Sequence, residues 1–192
     1  MLTALVDRGL VPVPLQRAGV RRLLAKRLAE CEAAGVRGTE AFLAAKREGP
    51  IARHTDAANA QHYEVPAAFH RLTLGPRMKY SGGLWRSPDA DLASSETAML
   101  DLSIERARVE DGQRVLDLGC GWGALTIRLL ERFPRAEVVS ISNSASQREF
   151  ILGEAARRGL RAPTVLTQDV NGFEPPGTFD RVMSAEMFEH LW

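Results

Sequence analysis

The chain has 192 residues, 45% apolar and 26% charged, the make-up of an ordinary water-soluble globular protein. Lys and Arg number 25 against 24 Asp and Glu, a formal charge of +1, so the charge balance implies no nucleic acid or other polyanionic partner. No apolar run approaches the roughly 20 residues of a membrane span, and the opening MLTALVDRGLVPVP lacks the basic and apolar regions of a signal peptide.

In chain order, LQRAGVRRLLAKRLAECEAAG carries apolar residues at helical spacing and is expected to end at Gly35. TEAFLAAKREG repeats the design, with Thr39 as a cap and Pro50 after Gly49. The arginines between Arg17 and Arg27 alternate with Leu and Ala, which suits a solvated helix face better than a nucleic-acid or lipid patch. HTDAANAQHYEVPAAFHRLTLGPRMKYSGGLW follows, rich in Gly, Pro and aromatics, as loops and short helices covering something would be. SSETAMLDLSIERARV reads as a serine-capped amphipathic helix. Near residue 110 the rhythm changes: QRVLDLG, AEVVSIS, APTVLTQD and FDRVMSAE are short β runs, and WGALTIRLLERFP and SASQREFILGEAARRGL are the intervening helices. That alternation predicts an α/β fold of βαβ units in a parallel sheet. The expected division is a helical cover region, 1–110, and a ligand-binding α/β region, 111–192. Two distant cysteines, Cys31 and Cys120, suit free thiols in a reducing cytoplasm.

The first β run enters Gly119-Cys120-Gly121-Trp122-Gly123 and then a helix. Such glycines serve a tight turn, the close approach of a ligand to backbone, and the close packing of helix on strand. The spacing G-x-G-x-G is not the G-x-G-x-x-G of dinucleotide folds, and no Lys-Ser/Thr pair makes a phosphate loop. Where a ribose-binding carboxylate would end the second strand, the chain reads Ser140-Ile141-Ser142-Asn143-Ser144. Asn143 and Gln147 could offer neutral hydrogen bonds to a ribose instead; equally, Ser144 could cap the next helix with Gln147 completing a capping box.

The stretches VLDLGCGWGAL, SISNSASQREFI, FDRVMSAEMFEH and HYEVP…MKYSGGLW together resemble the cyclopropane-fatty-acid-synthase-like branch of S-adenosylmethionine-dependent methyltransferases. Within it the chain is most similar to the coclaurine N-methyltransferase group and its bacterial relatives. The resemblance implies a Rossmann-like class I methyltransferase fold with S-adenosyl-L-methionine as cofactor. It implies that Tyr80 and Ser81 close over the cofactor, and that Leu116, Asp117, Gly119, Cys120, Gly121, Trp122, Gly123 and Ala124 run along its methionine part. Ser142, Asn143 and Gln147 would lie near the ribose, and Asp169, Val170 and Asn171 near the adenine. Tyr80 as core packing and Asp169 as a turn former remain open.

Glu186, Glu189 and His190 follow the fourth β run, at the carboxyl edge where open α/β sheets bind ligands. A helix beginning near Glu186 would put all three on one face. Glutamates in a first helical turn also complement the helix dipole whatever the function. Zinc is not expected, because one His and two Glu in this order do not match H-E-x-x-H. Methyl transfer to an amine asks for a free lone pair roughly 3–3.5 Å from the methyl carbon. An aliphatic ammonium, with a pKa of about 10.4, must first lose a proton. The expectation is that Glu186 holds the ammonium, His190 takes its proton and Glu189 positions the pair.

The same branch contains lipid cyclopropanation, where a cysteine normally follows the Tyr-Ser pair; here Gly82 and Gly83 follow Ser81. That absence, together with the stretches similar to the coclaurine N-methyltransferase group, favours N-methylation of a small amine over a fatty-acyl phospholipid cyclopropane synthase or related lipid methyltransferase. His62 is a candidate substrate contact; His54 and His70 receive no role. Folds of this branch normally carry seven strands in the order 3-2-1-4-5-7-6, so the four β runs here read as a chain truncated after the fourth strand. An inactive cofactor-binding fragment is therefore a third expectation.

Overall fold

The structure, a computed structural model, describes residues 2–52, 65–188 and 191, and these divide into two compact units, 1–49 and 50–192. His54 and His62 lie outside the described residues.

The first unit is helical. α1 spans Leu2–Asp7 and α2 spans Val13–Glu48, with proline in the opening turn of α2, where a missing N–H breaks no bond. Gly35 (φ 52°, ψ −150°) kinks α2 into two arms at the expected break, but helix resumes on its far side, so Thr39 lies inside the second arm and caps nothing. Gly49 closes the helix by donating its N–H to the Ala45 carbonyl at 3.1 Å. None of the α2 residues is buried, and Leu23, Leu24 and Leu28 are each at least 60% exposed.

The second unit begins with a short helix, α3 (Ala67–Thr73), and then α4 (Leu92–Ala107). The cap of α4 is not a serine. Asp91 accepts the Ser94 N–H at 2.8 Å, which places Ser94 and Ser95 in the first turn. A carboxylate caps as serine does and also complements the positive end of the helix dipole. After α4 come β1 (Arg114–Leu118), α5 (Ala124–Arg132), β2 (Glu137–Ser142), α6 (Ala145–Arg157), β3 (Thr164–Thr167), a 3₁₀ turn (Val170–Gly172) and β4 (Arg181–Met183).

The four strands form one parallel sheet in the order β3-β2-β1-β4. β1 and β2 are central and nearly continuous in burial, as a sheet covered on both faces requires. One core packs Leu100 and Ile104 of α4 and Leu125 and Leu129 of α5 on Val115 and Val138. A second packs Ile151 and Ala155 of α6 with Cys120, Ile127 and Val165. Charged pairs stitch the helices together. Arg128 grips Asp101 with two bonds of 2.8 and 2.9 Å, and Glu131 accepts from both Arg77 and Arg158. Among the described residues β4 pairs only with β1, and its Val182 is 61% exposed.

Candidate functional site

All four strands of the sheet run parallel, so their carboxyl ends share one edge, and the described ones among the expected site residues of the second unit lie in these strands, in the turns after them or in the segment before α4. The glycine loop comes first. Its three glycines all have positive φ, but their surroundings divide the labour. A Cβ on Gly119 would collide with the Met187 side chain, and one on Gly123 would lie 2.6 Å from Ile151 of α6. A Cβ on Gly121 would meet nothing within 4 Å. Gly119 and Gly123 therefore serve close packing, and Gly121 is where backbone faces open space. The loop is anchored by the Gly119 and Cys120 N–H groups, which both donate to the Ile141 carbonyl.

Leu116 and Asp117 lie inside β1, 3% and 1% exposed. The Asp117 carboxylate accepts from Thr126 Oγ1 at 2.7 Å, and Ser140 Oγ lies 2.7 Å from that same Thr126 oxygen. A hydroxyl has one proton, so Ser140 is the donor to Thr126. Burial pushes the Asp117 carboxyl up to about 6 against the pull of this hydrogen bond. Cys120 is buried too; burial, reinforced by the neighbouring Asp117 charge, raises its thiol pKa well above the ordinary value. Trp122 is 4% exposed and packs between His70, centroids 4.8 Å apart, and Phe150 at 5.2 Å.

At the end of β2, Ser142 donates to Gln147 Oε1 at 2.6 Å and accepts the Ser144 N–H at 3.1 Å. Ser144 caps α6 by accepting the Gln147 N–H at 3.3 Å, as expected. The reciprocal half of the capping box is absent, because the Gln147 side chain turns to the Ser142 hydroxyl instead. Ser142 and Gln147 thus fasten the turn that presents Asn143. After β3, Asp169 accepts the Asn171 N–H at 2.7 Å and starts the 3₁₀ turn through Val170. Asn171 clamps the entry segment: its Oδ1 accepts the Ala52 N–H at 2.9 Å and its Nδ2 donates to the Ala52 carbonyl at 3.0 Å.

The segment between α3 and α4 meets the loop after β4. Glu186 accepts from Lys79 Nζ through one carboxylate oxygen and from Ser81 Oγ, at 2.6 Å, through the other. Glu186 has φ 63°, so no right-handed turn starts at that residue, while Phe188, two residues on, has 3₁₀ conformation. Left-handed backbone cannot continue a right-handed turn, and it aims the carboxylate at the covering segment. Glu189 and His190 lie outside the described residues. Tyr80 is 57% exposed, its ring 6.3 Å from that of His70. Two buried polar atoms among the described residues have no partner: Ser184 Oγ, just after β4, and Nε2 of His70.

Lys79, His70 and Asn171 as a clamp were missed by sequence reasoning. Lys79 stands beside the quoted Tyr-Ser pair, but its partner is 107 residues away, and no local pattern announces a contact at that separation.

The family description "Mycolic acid cyclopropane synthetase" matches residues 52–192, and the chain belongs to that family. It is 39% identical over 145 residues to an (S)-coclaurine N-methyltransferase of Thalictrum flavum subsp. glaucum, covering 76% of this chain and 40% of that protein. To cyclopropane mycolic acid synthase 1 of Mycobacterium tuberculosis it is 33% identical over 136 residues, covering 70% of this chain and 46% of that one. Among solved structures, a coclaurine N-methyltransferase bound to N-methylheliamine and SAH superposes with a TM-score of 0.87 at 34% identity, covering 99% of this chain and 56% of that one. A mycolic acid cyclopropane synthase complexed with SAH and CTAB gives 0.64 at 30% identity, covering 73% of this chain and 48% of that one. The chain thus spans about 40% of the length of the N-methyltransferase relative and about half of the solved structures.

Proposed function

We propose that this chain carries the cofactor-binding half of an S-adenosylmethionine-dependent methyltransferase that N-methylates a small-molecule amine. The observation that carries the reading is the open backbone at Gly121, flanked by the neutral turn of β2 on one side and the Glu186 carboxylate on the other. A nucleoside with a cationic sulfur and no phosphate suits this donor set, which has no Lys-bearing phosphate loop and no ribose carboxylate at Asn143. The unpartnered Ser184 hydroxyl at the same edge supports a polar ligand there. The SAH in two structurally similar relatives supports the same cofactor.

The bound cofactor would supply an electrophilic methyl whose leaving thioether needs no acid. The residues of this chain would do the rest. Tyr80 and Ser81 would cover the site, and Leu116 to Ala124 would border the methionine part, with Gly121 offering open backbone and Gly119 and Gly123 packing the loop against Met187 and Ile151. Ser142 and Gln147 would hold Asn143 toward the ribose, and Asp169, Val170 and Asn171 would border the adenine. Glu186 would hold the acceptor's ammonium, with Glu189 positioning and His190 taking the proton. Residues 1–110 would act as the cover and 111–192 as the cofactor region. The protein would work in the cytoplasm on a small molecule. Among the described residues no helix is long and apolar enough to cross a membrane.

A second reading, cyclopropanation or methylation of lipid, is supported by the family description and by the synthase relatives. Calorimetric titration of the chain with adenosylhomocysteine tests the cofactor. Binding that Gly121→Val abolishes is expected, and no heat at millimolar ligand rejects the reading. Labelled methyl transfer to an amine panel and to phospholipid vesicles, using the longest natural chain, separates the two acceptors.

A further inference from the structure

Lys79 carries an ammonium on a side chain only 9% exposed, and a charge withdrawn that far from water must be paired. Its partners are the Glu186 carboxylate and the Ser81 carbonyl oxygen. The Ser81 hydroxyl occupies the second carboxylate oxygen at 2.6 Å, so each oxygen of Glu186 already has a donor from within the chain. Backbone on both sides of the pair is left-handed, at Met78 (φ 56°) next to Lys79 and at Glu186 itself (φ 63°). Non-glycine residues hold such conformations only where their surroundings insist on it, and such positions concentrate at ligand clamps and switches.

We propose that the Lys79 ammonium is an internal occupant of the acceptor's cation site, one that the acceptor amine must displace from Glu186 to bind. This rests on the reading above that Glu186 holds the acceptor's ammonium. Lysine and a protonated acceptor offer one carboxylate the same charge and the same kind of N–H donor, so they compete. A bare cation gains from Glu186 no more than Lys79 gives up. An acceptor with an apolar body also covers surface, and each partner of the pair has an exposed ring close by in the chain: Tyr80, 57% exposed, follows Lys79, and Phe188, 68% exposed, comes two residues after Glu186. Lys79 thereby sets specificity, admitting hydrophobic amines and refusing small polar cations.

The probes are N,N-dimethylbenzylamine and methylammonium, titrated by NMR into the 192-residue chain without cofactor. Lys79→Met is expected to raise affinity for both at least tenfold and to narrow the preference for the aromatic amine. Adding Glu186→Gln to that variant is expected to cancel the gain. Unchanged or weaker binding in Lys79→Met, or a gain that survives Glu186→Gln, overturns the proposal. Lys79→Gln, which keeps a donor for the Ser81 carbonyl, replaces the methionine variant if that one unfolds. In the wild-type chain, acetylation of Lys79 read by mass spectrometry is expected to be slow beside that of the exposed Lys26. It should accelerate severalfold with saturating N,N-dimethylbenzylamine; no acceleration also overturns the proposal. A chain that takes the amine through Glu186 but no adenosylhomocysteine sinks the methyltransferase reading alone. A chain that binds adenosylhomocysteine with an amine affinity indifferent to Lys79 sinks the displacement alone.

Discussion

Asp117 is a carboxylate in an environment that its type does not suggest. It lies 1% exposed in a central strand, and burial lifts its carboxyl to about 6. A folded pKa above the ordinary value of 3.8 means the folded state binds its proton more tightly than the unfolded state. Its contribution to stability is full below that ordinary value and is lost as pH rises through about 6. At neutral pH the ionised group costs on the order of 3 kcal/mol. Asp117→Asn should remove this dependence, so urea unfolding of wild type should lose stability between about pH 4 and pH 7 relative to the variant. A parallel pair of curves would contradict it. The cysteines give a second residue-scale test. Cys31 is exposed, whereas Cys120 is buried with its thiol held protonated. Iodoacetamide on the native chain should label Cys31 and leave Cys120 unmodified until denaturant is added, as peptide mass spectrometry would show.

Among the elements, the strand–glycine–helix turn joins sequence to site most directly. That glycines were needed was legible in the sequence, together with the three jobs they do. Which glycine does which job was not, because it depends on Ile151 and Met187, far along the chain. The division makes a test. Gly123→Ala pushes a methyl into Ile151 on a helix and strains a positive φ, and should destabilise by about 2–4 kcal/mol. Gly121→Ala meets no atom and should cost about 1 kcal/mol in melting experiments, from its backbone conformation alone. Calorimetry should nevertheless show that it loses adenosylhomocysteine affinity. The helix starts show the same split. Ser144 was readable as a cap from local sequence, while Gln147 was not readable as a partner of Ser142, because the strand end and the helix face meet only after folding.

For the molecule as a whole, acid stability rests on the charged seam joining α6 to α5 and the segment before α4. The Arg157 guanidinium, against the upward push of burial and with help from Arg158, holds the Glu154 carboxyl at about 2. A folded pKa below the ordinary carboxylate value stabilises above that value and is lost as pH falls toward about 2. Glu154→Gln should lower stability at neutral pH by about 1–3 kcal/mol and flatten the acid limb of the unfolding curve, followed by circular dichroism. By itself the sequence determined the four strands, the helices between them and their parallel arrangement, because hydrophobic period and glycine spacing are local signals, and its quoted stretches carried the resemblance to the family. It also picked out Glu186. Only the tertiary structure decided that Lys79 and Ser81 hold that carboxylate, that Asn171 clamps Ala52, and that the backbone at Glu186 turns left-handed. Each of these joins residues more than 100 positions apart or follows from such a contact, and at that distance chain connectivity leaves no pattern to read.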